Sequence, residues 1–128
     1  MHPMSLQAWL IVHAIMSLVF GLLLVFVPKV LADQFSVNLD KAGEMFARLS
    51  GGGILFLALI NWASKDYTDS AIIWAIVGAN IVFHLIGGGL DLQQTVNGTY
   101  KPAAKGWFIV AYQLAWIVIF GYYFLFVR

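Results

Sequence analysis

Asn80, His84, Gly87 and Asp91 fall at i, i+4, i+7 and i+11, so on a helix they form one polar stripe. Glu44 and Arg48 stand at i and i+4, in the order that favours a helical ion pair. His13 and Ser17 share a face by the same spacing, and Gln113 is an amide inside an otherwise apolar run. Groups of this kind gathered in one place offer three kinds of chemistry. They can pin helices together through an internal ion pair and hydrogen bonds, line a path for protons or a polar substrate, or hold a cofactor. In the cluster Glu44, Arg48, Asn80, His84, Asp91 and Gln113, the guanidinium is the expected organiser, because it is always charged and donates in several directions. His84 or His13 is the candidate ligand for a haem iron or a pigment magnesium, with Phe83 and Trp116 as aromatic neighbours of His84. Bis-histidine haem ligation needs two imidazoles at one depth, and the spacing places His13 nearer the opposite face from His84.

The residue patterns that signal catalysis do not occur. There is no H-E-x-x-H, nucleophile elbow or P-loop. No two carboxylates stand in a convincing acid–base arrangement, and Asp33, Asp40, Asp66 and Asp69 read as solvated. The absence of cysteine removes disulfides and thiolate metal sites. No other metal-ligand spacing is present, so the expectation is a protein that is not an enzyme. A net charge of +1 without a clustered basic face argues against a nucleic-acid partner.

The elements that must position these residues follow from where charge is missing. Residues 1–28, 70–90 and 106–127 contain no Asp, Glu, Lys or Arg, and neither does 49–64. Hydrophobic residues make up 62% of the chain and charged residues 10%, proportions that suit lipid rather than water as the surrounding solvent. A helix needs about 20 apolar residues to cross the hydrocarbon core, and backbone groups in lipid must pair within their own segment. The expected architecture is therefore all-α, an integral membrane four-helix antiparallel bundle. It forms a single domain over 1–128, with spans at about 6–27, 42–64, 70–92 and 104–127. The first apolar block lacks a basic leader and is too long for a secretory signal core, so it reads as a retained span.

Punctuation supports these bounds. Pro28 ends the first span. Residues 29–40 alternate apolar and polar groups, which suits an interfacial hairpin or short amphipathic turn. Asp40 is an N-cap type for the second span, and Thr68 or Asp69 for the third. Asn97-Gly98 and Pro102 mark the last turn. The longer connections hold Lys29, Lys41, Lys101 and Lys105, whereas the face with the termini holds Lys65 and Arg128, so the positive-inside rule puts the longer connections in the cytoplasm. Tyr and Trp residues sit near the span ends, as aromatic belts do; Trp116 lies well inside the fourth span, where it packs or borders a cavity.

Helices in lipid associate through close packing, so small residues mark the expected seams. On the second span these are Gly43, Ala47, Gly51 and Gly52. On the third they are Ala75, Ala79, Gly87 and Gly88. The glycine triplets 51–53 and 87–89 predict either a tight seam with a neighbouring span or subunit, or a locally opened helix that offers carbonyls to an ion or substrate.

Three stretches, Gly21 through Pro28, Phe46-Ala47-Arg48-Leu49-Ser50-Gly51-Gly52 and Trp62-Ala63-Ser64-Lys65-Asp66, carry a resemblance. They resemble a group of small bacterial four-span membrane proteins of unknown function. Those proteins look alike in a glycine-bearing first span that ends at Pro, an Ala-Arg-Leu-x-Gly opening to the second, and a Trp-plus-basic exit. The resemblance covers roughly the first half. It implies a four-helix bundle in which Arg48 matters and implies no activity.

These readings converge on a multi-pass protein of the bacterial cytoplasmic membrane, with the lipid bilayer as one partner. The first expectation is an accessory or assembly subunit that docks with copies of itself or with other membrane subunits. A homo-oligomeric channel or carrier lined by Arg48, His84 and Asp91 is the alternative. A haem-, quinone- or pigment-binding bundle is the third.

Overall fold

A computed structural model describes residues 4–127, and they are helical throughout apart from short connections. Five α-helices follow in order: α1 (Leu6–Phe26), α2 (Pro28–Asp33), α3 (Lys41–Ser64), α4 (Ile72–Val96) and α5 (Ala103–Tyr122), which runs on into a π-helical turn, Tyr123–Val127. Four segments are long and apolar enough to cross a membrane: Leu6–Phe26, Lys41–Ser64, Ile72–Val96 and Ala103–Val127.

Local chemistry sets the helix ends. Ser5 opens α1, its hydroxyl accepting from the amide of Ala8 at 3.2 Å. As the sequence predicts, Asp40 caps α3, its carboxylate taking the Gly43 amide at 2.7 Å. Ser70 lies at the start of α4, where its hydroxyl accepts from Ile72, so neither Thr68 nor Asp69 supplies that bond. Pro28 does end α1, but it then serves as the first residue of α2, where its missing N–H costs nothing. The apolar run of the third span gives out at Leu92, yet α4 continues to Val96. Gly98 ends it. With φ at +73°, it lets the Gly98 amide bond to Thr95 and the Thr99 amide to Gln94, the paired closure of a Schellman motif.

The chain divides into two compact units, Met1–Leu31 with Leu39–Ile73, and Ala32–Asn38 with Trp74–Arg128. In the first unit α1 and α3 run antiparallel, since Gln7 meets Asp66, His13 meets Asn61, and Val25 meets Arg48. Their backbones come closest where Gly21 faces Gly51. A Cβ at Gly51 would lie 2.8 Å from Leu24 Cβ and 2.9 Å from the Gly21 carbonyl oxygen, so no larger side chain fits without movement. Leu6, Leu10 and Ala14 of α1 and Ala58 of α3 are buried apolar residues of these two helices.

The second unit is built on α4 and α5, also antiparallel, with Thr95 near Gly106 at one end and Gly78 near Phe124 at the other. Its buried apolar residues are Val77 of α4, Ile109, Trp116 and Phe120 of α5, and Tyr123 of the π-helical turn. The segment 32–38 belongs to this unit. Phe35 packs against Tyr100 with ring centroids 5.0 Å apart, the Lys101 amide donates to the Phe35 carbonyl, and the Ser36 hydroxyl donates to the Lys101 carbonyl. Ser36 turns the chain there with φ at +55°.

The small residues divide differently from the expected seams. Gly51 packs against α1 rather than α4, and Gly87 and Gly88 face the Gln113 side chain of α5. A Cβ at Gly43 would lie nearest its own capping Asp40 and Leu39, Ala47 is half-buried, and Gly52, Ala75 and Ala79 face outward. Along α4 the buried stripe is Ile73, Val77, Asn80 and His84. Burying an unpaired amide or imidazole is costly, whereas an outward alanine costs nothing, so the polar stripe rather than the alanine stripe sets how α4 is turned.

Candidate functional site

Each unit holds one fully buried histidine whose Nδ1 meets a side-chain amide of the facing helix. In the first unit, His13 Nδ1 accepts from Asn61 Nδ2 at 2.8 Å, with the Ser17 hydroxyl 3.2 Å away. His13 and Asn61 are both wholly shielded from solvent. Because Nδ1 accepts, this imidazole carries its proton on Nε2. The His13–Ser17 pair follows from sequence spacing, but Asn61 does not stand out, being one amide in an apolar stretch. The signal for it was depth. It lies less than one turn from the end of α3, on the face from which α1 enters.

In the second unit the polarity is reversed. His84 Nδ1 donates to Gln113 Oε1 at 2.6 Å, and Gln113 Nε2 donates to Asp91 Oδ2 at 2.9 Å. Tyr100 closes the chain by donating its hydroxyl to Asp91 Oδ1 at 2.9 Å. The relay Tyr100–Asp91–Gln113–His84 thus runs from the α4–α5 connection into the helix interior. The Trp116 ring stacks on His84 with centroids 6.2 Å apart, and Phe83 and Tyr112 present edges to it. Asn80, on the same stripe, donates to the Ile76 carbonyl of its own helix at 2.8 Å. Tyr100 was not foreseen as part of the cluster. Burial, with the charge of Asp91 beside it, pushes its hydroxyl well above the ordinary tyrosine value.

Asp91 differs from Glu44, the other carboxylate within a candidate span. Its two oxygens receive neutral donors, and among the described residues no cation pairs with it. Glu44 lies between two cations. Arg48 Nη2 is 2.9 Å from Oε1 and Lys29 Nζ is 3.6 Å from Oε2. The other terminal nitrogen of Arg48 donates to the Val25 carbonyl at the end of α1. Of the expected cluster, Glu44 and Arg48 pair within the first unit, and His84, Gln113 and Asp91 are linked within the second, with Asn80 on the same stripe of α4.

At the other end of the first unit, Lys65 binds Asp66 at 2.6 Å and sits over the Trp62 ring, while Gln7 donates to the same carboxylate at 2.8 Å. The ammonium of Lys65, chiefly, holds the Asp66 carboxyl below its ordinary range. This is a surface contact that braces the start of α1 against the end of α3.

Among the described residues, no buried side-chain nitrogen or oxygen lacks a partner. No group of three His, Asp or Glu residues there is placed to hold a metal ion. Comparison with family models, with curated proteins and with solved structures gives no match for this chain.

Proposed function

We propose that this chain is a small multi-pass integral membrane protein, an antiparallel helical bundle that acts as a non-enzymatic accessory or assembly subunit. It docks with other membrane subunits or with further copies of itself. The bacterial cytoplasmic membrane is the proposed location, in keeping with the resemblance to small bacterial four-span proteins. The observation that carries the reading is the closure of the polar interior: every buried side-chain polar atom among the described residues has a partner. Interior groups so engaged hold helices in register, as polar side chains do in membrane bundles. What remains for recognition is the outside. There Phe56 and Leu59 project from α3 beside Gly52 and Gly53, where a Cβ added at either glycine would meet nothing within 4 Å. Extraction of the full chain in mild detergent, followed by mass measurement of the particle, tests the proposal. A defined assembly larger than one chain is expected; a lone, monodisperse monomer counts against it.

Asp91 favours a second reading, that of a channel or carrier. A carboxylate in a candidate span whose partners are a phenol and an amide is a group that can take up a proton or a cation. Proteoliposomes with an internal pH dye test this reading, which requires flux in the unmodified protein and its loss in Asp91→Asn.

A further inference from the structure

We propose that Lys29 and Arg48 form a binding site for the phosphodiester headgroup of an anionic membrane phospholipid, seated where α1 ends beside the first turns of α3. The site lies wholly in the first unit. It rests on the reading that the chain spans a membrane.

The argument begins with depth. Arg48 lies seven residues beyond Lys41, which places its Cα about 10 Å along the helix axis from the charged end of α3. Residues around it point outward and are apolar: Met45, Phe46 and Leu49 are 59%, 60% and 71% exposed. A guanidinium at that level, on a lipid-facing surface, cannot stay in hydrocarbon and must turn back towards the headgroups. It does so, reaching back one turn to Glu44.

Charge is then left over. Glu44 balances one of its two cations, so the trio carries a net positive charge. The carboxylate is the inner member and the cations are the outer ones. Side-chain exposure is 27% for Glu44, 47% for Arg48 and 65% for Lys29. Arg48 makes two bonds with a fork of five N–H donors on a half-exposed side chain, which leaves donors for a further acceptor. An exposed ammonium and a half-exposed guanidinium, held at the two oxygens of one carboxylate, suit the oxygens of a phosphate. The flanking Met45, Phe46 and Leu49 suit acyl chains below it. A headgroup joined to two acyl chains satisfies both halves of this surface, whereas a free anion satisfies only the first.

The test is native mass spectrometry of the full chain in mild detergent, titrated with phosphatidylglycerol or with phosphatidylcholine of the same acyl chains. Preferential retention of one phosphatidylglycerol is expected. Lys29→Gln leaves the bonds of Arg48 in place and should lower that retention about fivefold, whereas Lys105→Gln should not. Arg48→Gln should lower it at least as much, and Lys29→Gln keeps the test valid if Arg48→Gln fails to fold. Equal retention of the two lipids, or no effect of Lys29→Gln, overturns the site. Displacement of the lipid by millimolar inorganic phosphate also overturns it, by assigning these residues to a soluble anion. Membrane fractionation separates this failure from that of the spanning reading: a chain that resists carbonate extraction yet shows no lipid preference loses only the headgroup site.

Discussion

The guanidinium of Arg48 caps the carbonyl of Val25, a backbone group orphaned by the proline three residues further on. In an unbroken helix Val25 would receive the amide of Lys29, but α1 stops at Phe26 and the chain restarts as α2 at Pro28. A cation on a helix C-terminus also meets the negative end of the helix dipole. Arg48 therefore ties the end of α1 to the first turns of α3 through Glu44.

Replacing Arg48 by Leu should accordingly destabilise the protein in detergent by about 2 kcal/mol, the value of hydrogen bonds to a charged group at a partly exposed site. Arg48→Lys should recover less than half of the loss, because one ammonium cannot span the Val25 carbonyl and the Glu44 carboxylate together. Thermal unfolding followed by tryptophan fluorescence measures both. A lysine variant as stable as the parent would show that the Val25 contact contributes nothing.

Two neighbouring glycines should behave in opposite ways. Gly51→Ala forces a methyl against Leu24, Val25 and the Gly21 carbonyl, and should cost about 1–3 kcal/mol. Gly52→Ala meets open space and should raise the stability of the isolated protein by up to about 1 kcal/mol through helix propensity alone. If the outward face of α3 docks with a partner, Gly52→Ala also weakens the assembly while it strengthens the chain. Unfolding of the monomer and the mass of the extracted particle would then move in opposite directions.

Gln113 is the hinge of the second unit's hydrogen bonds, accepting from His84 and donating to Asp91. Gln113→Leu should cost about 1–2 kcal/mol, near the upper end for polar contacts between membrane helices. Combined with His84→Phe it should cost less than the sum of the two separate losses, since both remove the same bond. Strict additivity in that double-mutant cycle would mean that the bond contributes nothing.

Asp66 supplies a pH signature at the surface. Its carboxyl is held below the ordinary value of 3.8, first by Lys65 and then by Gln7. A depressed folded-state value stabilises the protein above the unfolded value, and the contribution is lost as pH falls below 3.8 through the folded one. Carboxyl NMR should show Asp66 titrating below this value, and Lys65→Met should return it towards the ordinary range.

The helices were legible in the sequence because their signals are local: long uncharged runs, a cap at Asp40, a stop at Pro28. The Glu44–Arg48 pair was legible for the same reason, since it is local to one helix. So was the company of His84, Asp91 and Gln113, because stripe and depth together leave few other partners. What spacing could not give is the rotation of each helix about its axis. That rotation decided that Ala75 and Ala79 turn outward and that Gly51 meets Gly21 of α1. Nor does any side-chain pattern announce a backbone acceptor such as the Val25 carbonyl. Asn61 and Tyr100 were missed because each acts through a partner distant in the chain, His13 and Asp91 respectively by helix pairing and by the turn after α4.

The clasp between Ser36 and Lys101 bridges 65 positions of chain. A ribosome adding about 5–20 residues per second needs on the order of 3–13 s to travel that distance. Throughout that interval the strip that begins just after α2 has been made but its mate has not. Final closure of this clasp is thus timed by translation, and it cannot precede emergence of the connection that leads into α5.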